Sequence, residues 1–520
     1  MLDPATYPHA APAPVLIETH VSWIALAGDY AYKLKRPVRF PFLDYSSVEL
    51  RRAACDTEVR LNRRWAPALY LGVAELAATP LGPRFDAAGT PLEPAVRMRR
   101  FDRSQELDAL VGREDVAADE LAALGHALAG WQGEAQAVDA SSPWGTAADV
   151  YAAIEENLET LRGAAPALTA ATVAAVGAWI AREHAALTPE LGARRAAGRV
   201  RECHGDLHTR NVVRLGGRLT PFDGIEFAAR LRFIDVASDA AFLAMDLDRL
   251  GRPDLAAAFV DAWLAASGDY AAARVWRLFL CYRALVRAKI DALRALQLGT
   301  GPAADGAWAE SRRFLATAER AAMRPVGRIV ITHGPSGAGK SHVAAALVTT
   351  LPAVRLRADV ERKRLAGLAP GAASNSAIDQ GLYAPAMTER TYARLIDAGV
   401  ALARAGLDVI LDATFLDAAV RARAAAAAAA AGAPFAILDC RAPEALLRER
   451  VAARRGDASE ATLTVLAHQL ATLAPLTAGE ARRAVAVDAA ATLDPVALAA
   501  LLRAAAGPPG GSPRAAAPGS

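Results

Sequence analysis

The sequence predicts an α+β unit of two lobes followed by an α/β unit built on a parallel sheet. Three observations carry this. The chain has 520 residues, too many for one hydrophobic core at about 100–200 residues per domain. Residues 15–101 read as strands and one helix, whereas 102–323 are dominated by helical, Ala/Leu-rich patterns. From Arg324-Pro325 to about residue 503, strands and helices alternate, the order that builds a parallel sheet. The expected domains are 1–323, with an N-terminal lobe at about 15–101 and a C-terminal lobe at about 102–323, and then 324–503. The tail 504–520 ends in GPPGGSPRAAAPGS and is expected to be disordered.

Taken in order, VLIETHVSWIALA and YAYKLKRPVRF flank Gly28-Asp29 and predict a β-hairpin over 15–40. Ser46 or Ser47 caps a helix through VELRRAACDTEVRLNRRW, about 47–64. Residues 70–101 continue as strands, with turn signals in TPLGPRFDAAGTP. A helical stretch over 105–195, strands and loops over 200–235 and helices to about 323 complete the first part.

Charge is nearly balanced, Lys+Arg 59 against Asp+Glu 56, net +3. A general nucleic-acid-coating surface is therefore not expected. No run of about 18 strongly apolar residues suits a membrane span, and the start lacks a basic n-region and an apolar h-region. The four cysteines, Cys55, Cys203, Cys281 and Cys440, form no C-x-x-C pair. A cytoplasmic protein with free thiols and no membrane partner is expected. Lysine is scarce: only Lys33, Lys35, Lys289, Lys340 and Lys363 among 59 basic residues.

A first constellation lies in CHGDLHTRNVVRLGGRLTPFDGIEF, residues 203–227. Gly216-Gly217 turns the chain, and pairing Leu215 with Arg218 places Val212 opposite Pro221 and Asn211 opposite Phe222. Asn211 and Asp223 then stand at the open end of one hairpin, with Asp206 in the loop entering it. Two carboxylates and a carboxamide are hard oxygen ligands of the kind Mg²⁺ prefers. Upstream, Glu58 sits beside the apolar stripe of its helix, and a part-buried carboxylate there needs a cation. Lys33 and Lys35 share one strand face and are the candidate cations; a solvated helix charge is the other reading of Glu58.

The pattern H-x-D-x-x-x-x-N with a downstream Asp resembles the catalytic core of the protein-kinase-like phosphotransferases. Its H-G-D form is that of the aminoglycoside phosphotransferase and choline kinase branch. The resemblance implies a two-lobed fold that uses ATP and Mg²⁺, with Asp206 taking the proton of the attacking hydroxyl. It also implies Asn211 and Asp223 as metal ligands, and a Lys33–Glu58 pair orienting the α/β-phosphates. His204 would be a structural loop histidine, and Asp235 and Asp239 of FIDVASDAAFL would cap a helix. The chain departs from the pattern in lacking G-x-G-x-x-G. ETHVSWIALAG stands in its place, which leaves Ser22 and nearby backbone to face phosphate.

A second constellation is Gly334-Pro335-Ser336-Gly337-Ala338-Gly339-Lys340-Ser341, a complete G-x-x-x-x-G-K-[ST] between the strand RIVITH and the helix HVAAALVTTL. Such a loop turns backbone N–H groups and a helix N-terminus toward phosphates. Lys340 would reach the β/γ-phosphates and Ser341 the Mg²⁺. VILDATF ends a strand at Asp412, a metal- or water-positioning carboxylate. VRLRADVERKRL places Asp359 after the second strand, among Arg357, Arg362 and Lys363. Arg450, Arg454 and Arg455 suit either a lid over phosphate or a solvated helix face. This layout resembles the small P-loop kinases, gluconate-kinase-like and polynucleotide-5′-kinase-like proteins among them, which implies Asp359 as a hydroxyl base.

The two halves together resemble the bacterial family of bifunctional aminoglycoside phosphotransferase/ATP-binding proteins, a kinase-like domain fused to an AAA-family P-loop ATPase domain. YAYKLKRPV, FPFLDYS, EVRLNRR and HGDLHTRN carry that resemblance. It implies an ATP/Mg²⁺-dependent phosphotransferase with two nucleotide sites, acting on a hydroxyl of a small molecule, aminoglycoside-like or metabolite. Two other functions fit: a kinase-like domain regulated by a P-loop nucleotide sensor, and a nucleic-acid 5′-end kinase, which the near-neutral charge disfavours. The acceptor pocket is expected among the helices at 105–195 and 240–310.

Overall fold

The computed structural model describes residues 1–40, 43–164, 167–369, 372, 382, 384–453 and 462–507. Its N-terminal lobe holds β1 (Val15–Glu18), β2 (Ser22–Ala27), β3 (Tyr30–Lys35) and the short β4 (Arg39–Phe40) and β5 (Leu43–Asp44). Helix α1 (Val48–Asn62) follows, then β6 (Tyr70–Thr79), β7 (Gly82–Phe85) and β8 (Thr90–Arg99). Six of these strands form one antiparallel sheet in the order β1-β2-β3-β8-β6-β7. The single run expected from Val15 to Ala27 is broken into two strands. Thr19 is the reason: its hydroxyl accepts the Ser22 N–H at 2.9 Å and its N–H donates to the Ser22 carbonyl at 2.9 Å, closing a turn.

The pleat sorts β3 onto two faces. Tyr32 and Leu34 join Ala25, Ala27 and Phe85 in a core closed from outside by Tyr7 and Ala11, so residues before 15 belong to this lobe. Ala31 faces the other way, into the layer formed by Cys55 and Val59 of α1. Lys33 and Lys35 share that parity and therefore point at the helix. Ser47 starts α1 by accepting the Leu50 N–H at 3.3 Å.

The helical lobe contains α2 (Leu107–Gly112), α3 (Ala118–Glu134), α4 (Ala147–Ala164) and α5 (Ala167–Ala196). The strand-and-loop stretch holds β9 (Val200–Glu202), β10 (Val212–Leu215), β11 (Arg218–Pro221), α6 (Ala229–Arg232) and β12 (Phe233–Asp235). Then come α7 (Val236–Arg249), α8 (Pro253–Ser267), α9 (Ala273–Leu298) and α10 (Pro302–Ala322). Helix α7 is the hub, with every residue from Val236 to Leu247 buried. The β10–β11 hairpin has the register the sequence predicts, Leu215 with Arg218 and Val212 with Pro221.

The C-terminal half runs β13 (Ile329–His333), α11 (Lys340–Thr350), β14 (Ala353–Arg357), α12 (Ala358–Leu365), α13 (Pro385–Arg404) and β15 (Asp408–Asp412). It continues with α14 (Ala418–Ala430), β16 (Phe435–Arg441), α15 (Glu444–Ala452), α16 (Leu463–Thr472), α17 (Ala478–Ala481), β17 (Ala484–Asp488) and α18 (Pro495–Ala506). Five parallel strands lie in the order β14-β15-β13-β16-β17. The chain leaves β13 on one side and later returns to the other, so the crevice for a ligand lies at the strands' carboxyl ends. Helix α18 runs past residue 503 to Ala506; residues 508–520 of the expected tail lie outside the described residues.

These are the two architectures the sequence predicts: a two-lobed protein-kinase-like α+β fold, then a P-loop α/β fold. They share one core. Leu255, Val260 and Trp276 of the first half and Val354, Leu356 and Ile396 of the second belong to a single buried apolar cluster. Full burial of such side chains contributes about 1.5–3 kcal/mol each. Among the described residues no helix is long and apolar enough to cross a membrane.

Candidate functional site

In the first half, Lys33 and Glu58 meet. The Lys33 Nζ lies 2.9 Å from Glu58 Oε1 and 2.5 Å from Asp223 Oδ1. Glu58 is fully buried, which removes the solvated-charge reading. Lys35 is not an alternative but a second partner: it donates to the other oxygen of Glu58 and to Glu226. Burial would lower the pKa of both lysines, yet the carboxylates around them outweigh it and raise both. Burial acts to raise the Glu226 carboxyl, but Lys35 and Lys33 prevail and hold it low. Tyr45 donates a further hydrogen bond to Glu226 at 2.6 Å.

Asp206 sits in the loop before β10. Its carboxyl is held well below the usual range: burial opposes this, but the His208 ring and Arg287 prevail. His208 Nδ1 accepts the Arg210 N–H at 3.2 Å, and its Nε2 lies 3.4 Å from Asp206 Oδ2 and 3.0 Å from Arg287 Nη1. Asn211 donates to the Asp206 carbonyl at 2.9 Å and to its carboxylate at 3.1 Å, so its amide oxygen points away from Asp206. Asn211 and Asp223 share one end of the hairpin, as the register requires, but different partners hold their side chains. Asp223 has φ +62, and its N–H donates to the Tyr70 hydroxyl at 3.0 Å. A non-glycine residue in that region is strained and persists only where its surroundings enforce it.

Those surroundings extend beyond the residues the motif names. Asn62 accepts the Gly224 N–H at 2.9 Å and the Trp65 indole N–H at 3.2 Å, which ties the end of α1 to the Asp223 loop. Asp239 accepts the N–H of His204 at 3.2 Å and of Gly205 at 3.0 Å, so it fixes the Asp206 loop rather than capping a helix. Asp235 does cap α7, through the Ala237 N–H, and pairs with the buried Arg194. His204 is structural. Its Nε2 lies 2.9 Å from the Phe222 carbonyl and its Nδ1 accepts the Asp206 N–H at 3.3 Å, the pattern of a neutral ring, and burial lowers its pKa accordingly. Ser22 is buried, and its hydroxyl has no hydrogen-bond partner among the described residues. Asn62 stands four residues after Glu58, a spacing that marks one helix face; Glu226 and Tyr45 had no comparable signal.

In the second half, the glycines allow the loop after β13. Gly334 has φ +130, and a Cβ there would stand 2.4 Å from the Cys440 carbonyl oxygen; Gly339 has φ +77 at the start of α11. Lys340 folds back to donate to the Pro335 carbonyl at 2.8 Å, and Ala338 donates to the same oxygen at 3.2 Å. The Ser336 N–H is taken by Gln469 at 2.8 Å. Arg450 approaches the Gly337 carbonyl at 3.4 Å; Arg454 and Arg455 lie outside the described residues. Ser341 donates to Asp412 Oδ1 at 3.1 Å, whereas Asp412 Oδ2 is buried without a partner among the described residues. Burial pushes the Asp412 carboxyl up. Asp359, on the first turn of α12, pairs with Arg362 at 3.1 Å. Lys340, Ser341, Asp359, Asp412 and Arg450 all line one cleft of ≈ 840 Å³.

Among the described residues no three His, Cys, Asp or Glu side chains cluster to hold a metal ion. Each half instead offers one carboxylate and one neutral oxygen: Asp223 with Asn211, and Asp412 with Ser341. That donor set fits Mg²⁺, which takes one or two protein ligands and completes its shell with phosphate and water. The orphaned oxygen of Asp412 is what such an ion would satisfy.

Residues 329–476 match the AAA domain family (AAA_33). The Mycobacterium tuberculosis H37Rv protein named "Uncharacterized protein Rv2004c" is 32% identical over 457 residues, 86% of this chain and 88% of that one. Among solved structures, a choline/ethanolamine kinase family protein from Mesorhizobium loti aligns with 60% of this chain and 94% of its own, at 14% identity and TM-score 0.36. A gluconokinase from Sinorhizobium meliloti 1021 aligns with 35% of this chain and 93% of its own, at 22% identity and TM-score 0.24. With TM-scores this low, the reading of both sites rests on their geometry.

Proposed function

Because this chain belongs to the family of the mycobacterial protein Rv2004c, matching it over most of both lengths, we propose one function for the whole two-part architecture. It is an ATP- and Mg²⁺-dependent phosphotransferase with two nucleotide sites, moving a γ-phosphoryl group to a hydroxyl of a small molecule. The observation that carries the reading is Lys33, held between buried Glu58 and the strained Asp223, at the hairpin end that also bears Asp206 and Asn211. A compact ammonium there suits a pair of phosphate oxygens.

In the first site Asp206 accepts the proton of the attacking hydroxyl as its oxygen bonds to the γ-phosphorus and the β–γ bridging bond breaks. The low carboxyl pKa keeps Asp206 ionised and ready to orient that hydroxyl, and Lys33 anchors the phosphates of the leaving nucleotide. Asn211 and Asp223 would hold the metal here, and Ser341 and Asp412 in the second site. When bound, Mg²⁺ supplies charge neutralisation across the phosphates. In the second site the loop amides and Lys340 bind phosphate, and Asp359 faces the cleft as the base. The acceptor class, aminoglycoside-like or metabolite, is part of this proposal.

The packing of α8 on β14 and α11 favours a second reading, in which the P-loop half senses nucleotide and adjusts the first site. One panel separates the two. Transfer from γ-labelled ATP is followed on small-molecule alcohols and aminoglycosides with the wild type, Asp206→Asn and Lys340→Ala. Asp206→Asn should lower first-site transfer about 10²–10⁴-fold with ATP binding retained; unchanged turnover removes Asp206 from its role. If Lys340→Ala leaves first-site transfer untouched, the sensor reading is lost.

A further inference from the structure

Strand β14 is the edge of the C-terminal sheet, and an edge strand leaves backbone N–H groups that need partners. Its partner comes from the other half of the chain. Helix α8 lies along β14, and Asp261 of α8 accepts the Arg355 N–H at 2.6 Å. The guanidinium of the same arginine donates to the Ser341 carbonyl at 3.1 Å. Ser341 is the residue whose hydroxyl reaches Asp412. A relay of three contacts therefore runs from α8, through β14 and the first turn of α11, to Asp412 at the end of β15.

The end of α8 makes a parallel contact. Arg364 of α12 donates to the Ala265 carbonyl at 2.7 Å. Gly268, with φ +64, lies so close that a Cβ would stand 2.4 Å from Arg364 Nε. Helix α12 carries Asp359 at its opposite end. Both contacts start on α8 and end on elements that hold the proposed metal ligand and base of the P-loop site.

We propose that Asp261 is a positioning residue of the P-loop site, supplied in cis by the kinase-like half: it pins the backbone of Arg355 so that the Arg355 side chain fixes Ser341. The inference rests on the reading of Gly334–Ser341 as a nucleotide site. Its physical content is a hydrogen bond to an amide, not a charge. An asparagine at 261 still offers an acceptor oxygen of the same reach, and an alanine does not.

The test titrates the full-length protein with a fluorescent ATP analogue in Mg²⁺ buffer. Lys340→Ala identifies the second-site component of the signal. Asp261→Ala should weaken that component about tenfold and leave the first-site component within about twofold. Asp261→Asn should stay near wild type. Arg355→Met should match Asp261→Ala, and the double variant should be no weaker than Arg355→Met alone, because both changes cut one relay. Should Asp261→Ala not fold, Asp261→Ser gives the same comparison, its hydroxyl being too short to reach the amide.

The proposal is overturned if the second-site component is unmoved, if both components fall together, if Asp261→Asn is as weak as Asp261→Ala, or if the two effects add. If Lys340→Ala removes no binding component at all, the nucleotide-site reading fails instead.

Discussion

Replacing Lys35 with methionine tests how the two buried lysines divide their work. Lys35 is 1% exposed and touches Glu58, Glu226 and, at 5.5 Å, the ring of Tyr45. Methionine fills the space but removes the ammonium. Taking one partner from a buried ion pair costs about 3–5 kcal/mol. The lower end applies here, since Lys33 still holds Glu58 Oε1 and Tyr45 still donates to Glu226. At about 2.1 cal/mol/K of unfolding entropy per residue over 520 residues, a loss of about 3 kcal/mol corresponds to a fall in Tm of roughly 3 °C.

The pH dependence has a definite sign. Burial opposes but Lys35 and Lys33 together hold the Glu226 carboxyl low, so its contribution is present above the ordinary glutamate value and fades as pH falls through the depressed one. The Tm gap between wild type and Lys35→Met should be largest near pH 7–8 and shrink below about pH 4.3, where an ordinary glutamate protonates. Differential scanning calorimetry of the full-length protein from pH 2.5 to pH 8 measures it. A gap under about 1 °C at pH 7.5, or one that does not change with pH, would refute the reasoning.

Lys33→Arg keeps the charge between Glu58 and Asp223 but replaces a point ammonium by a planar fork; first-site turnover should fall at least about tenfold while the unfolding midpoint stays near wild type, and an active arginine variant would remove Lys33 from phosphate binding. Gly224→Ala drives a Cβ to 2.9 Å from the Trp65 ring, and overpacking of this kind costs about 1–3 kcal/mol; a urea titration should show it, together with a raised KM for ATP as the Asp223 loop shifts. Asp239→Asn turns an NH₂ group toward one of the two amides, His204 or Gly205, that its two oxygens now accept; kcat should drop more than KM rises, and wild-type kinetics would show that this carboxylate does not set the Asp206 loop.

Local pattern made much of this molecule legible before its structure. The β10–β11 register follows from Gly216-Gly217 and strand length, the helix stripe marks Glu58, and the resemblance to the kinase strand YAYK pairs it with Lys33. The glycine loop needs only its own residues and their neighbours. What sequence hid is long-range. Glu226 reaches Lys35 across 191 residues, Tyr45 reaches Glu226 across 181, and Asn62 reaches Gly224 across 162. None of these pairs has a spacing that periodicity can reveal. The break at Thr19 was hidden for the opposite reason, because one hydroxyl outweighed the β-propensity of the residues around it.

The α8–β14 seam also bears on the life of the chain during synthesis. Asp261 is made 94 residues before Arg355. At roughly 5–20 residues per second the ribosome needs roughly 5–20 s to supply the strand that this helix covers. Throughout that interval Ala257 and Val260, which pack toward Ala353 and Val354, face water or whatever holds nascent chains. A gene cut after residue 323 would make that interval permanent and yield a sticky fragment. The two halves carry separate motifs, yet they are inherited, made and folded as one object.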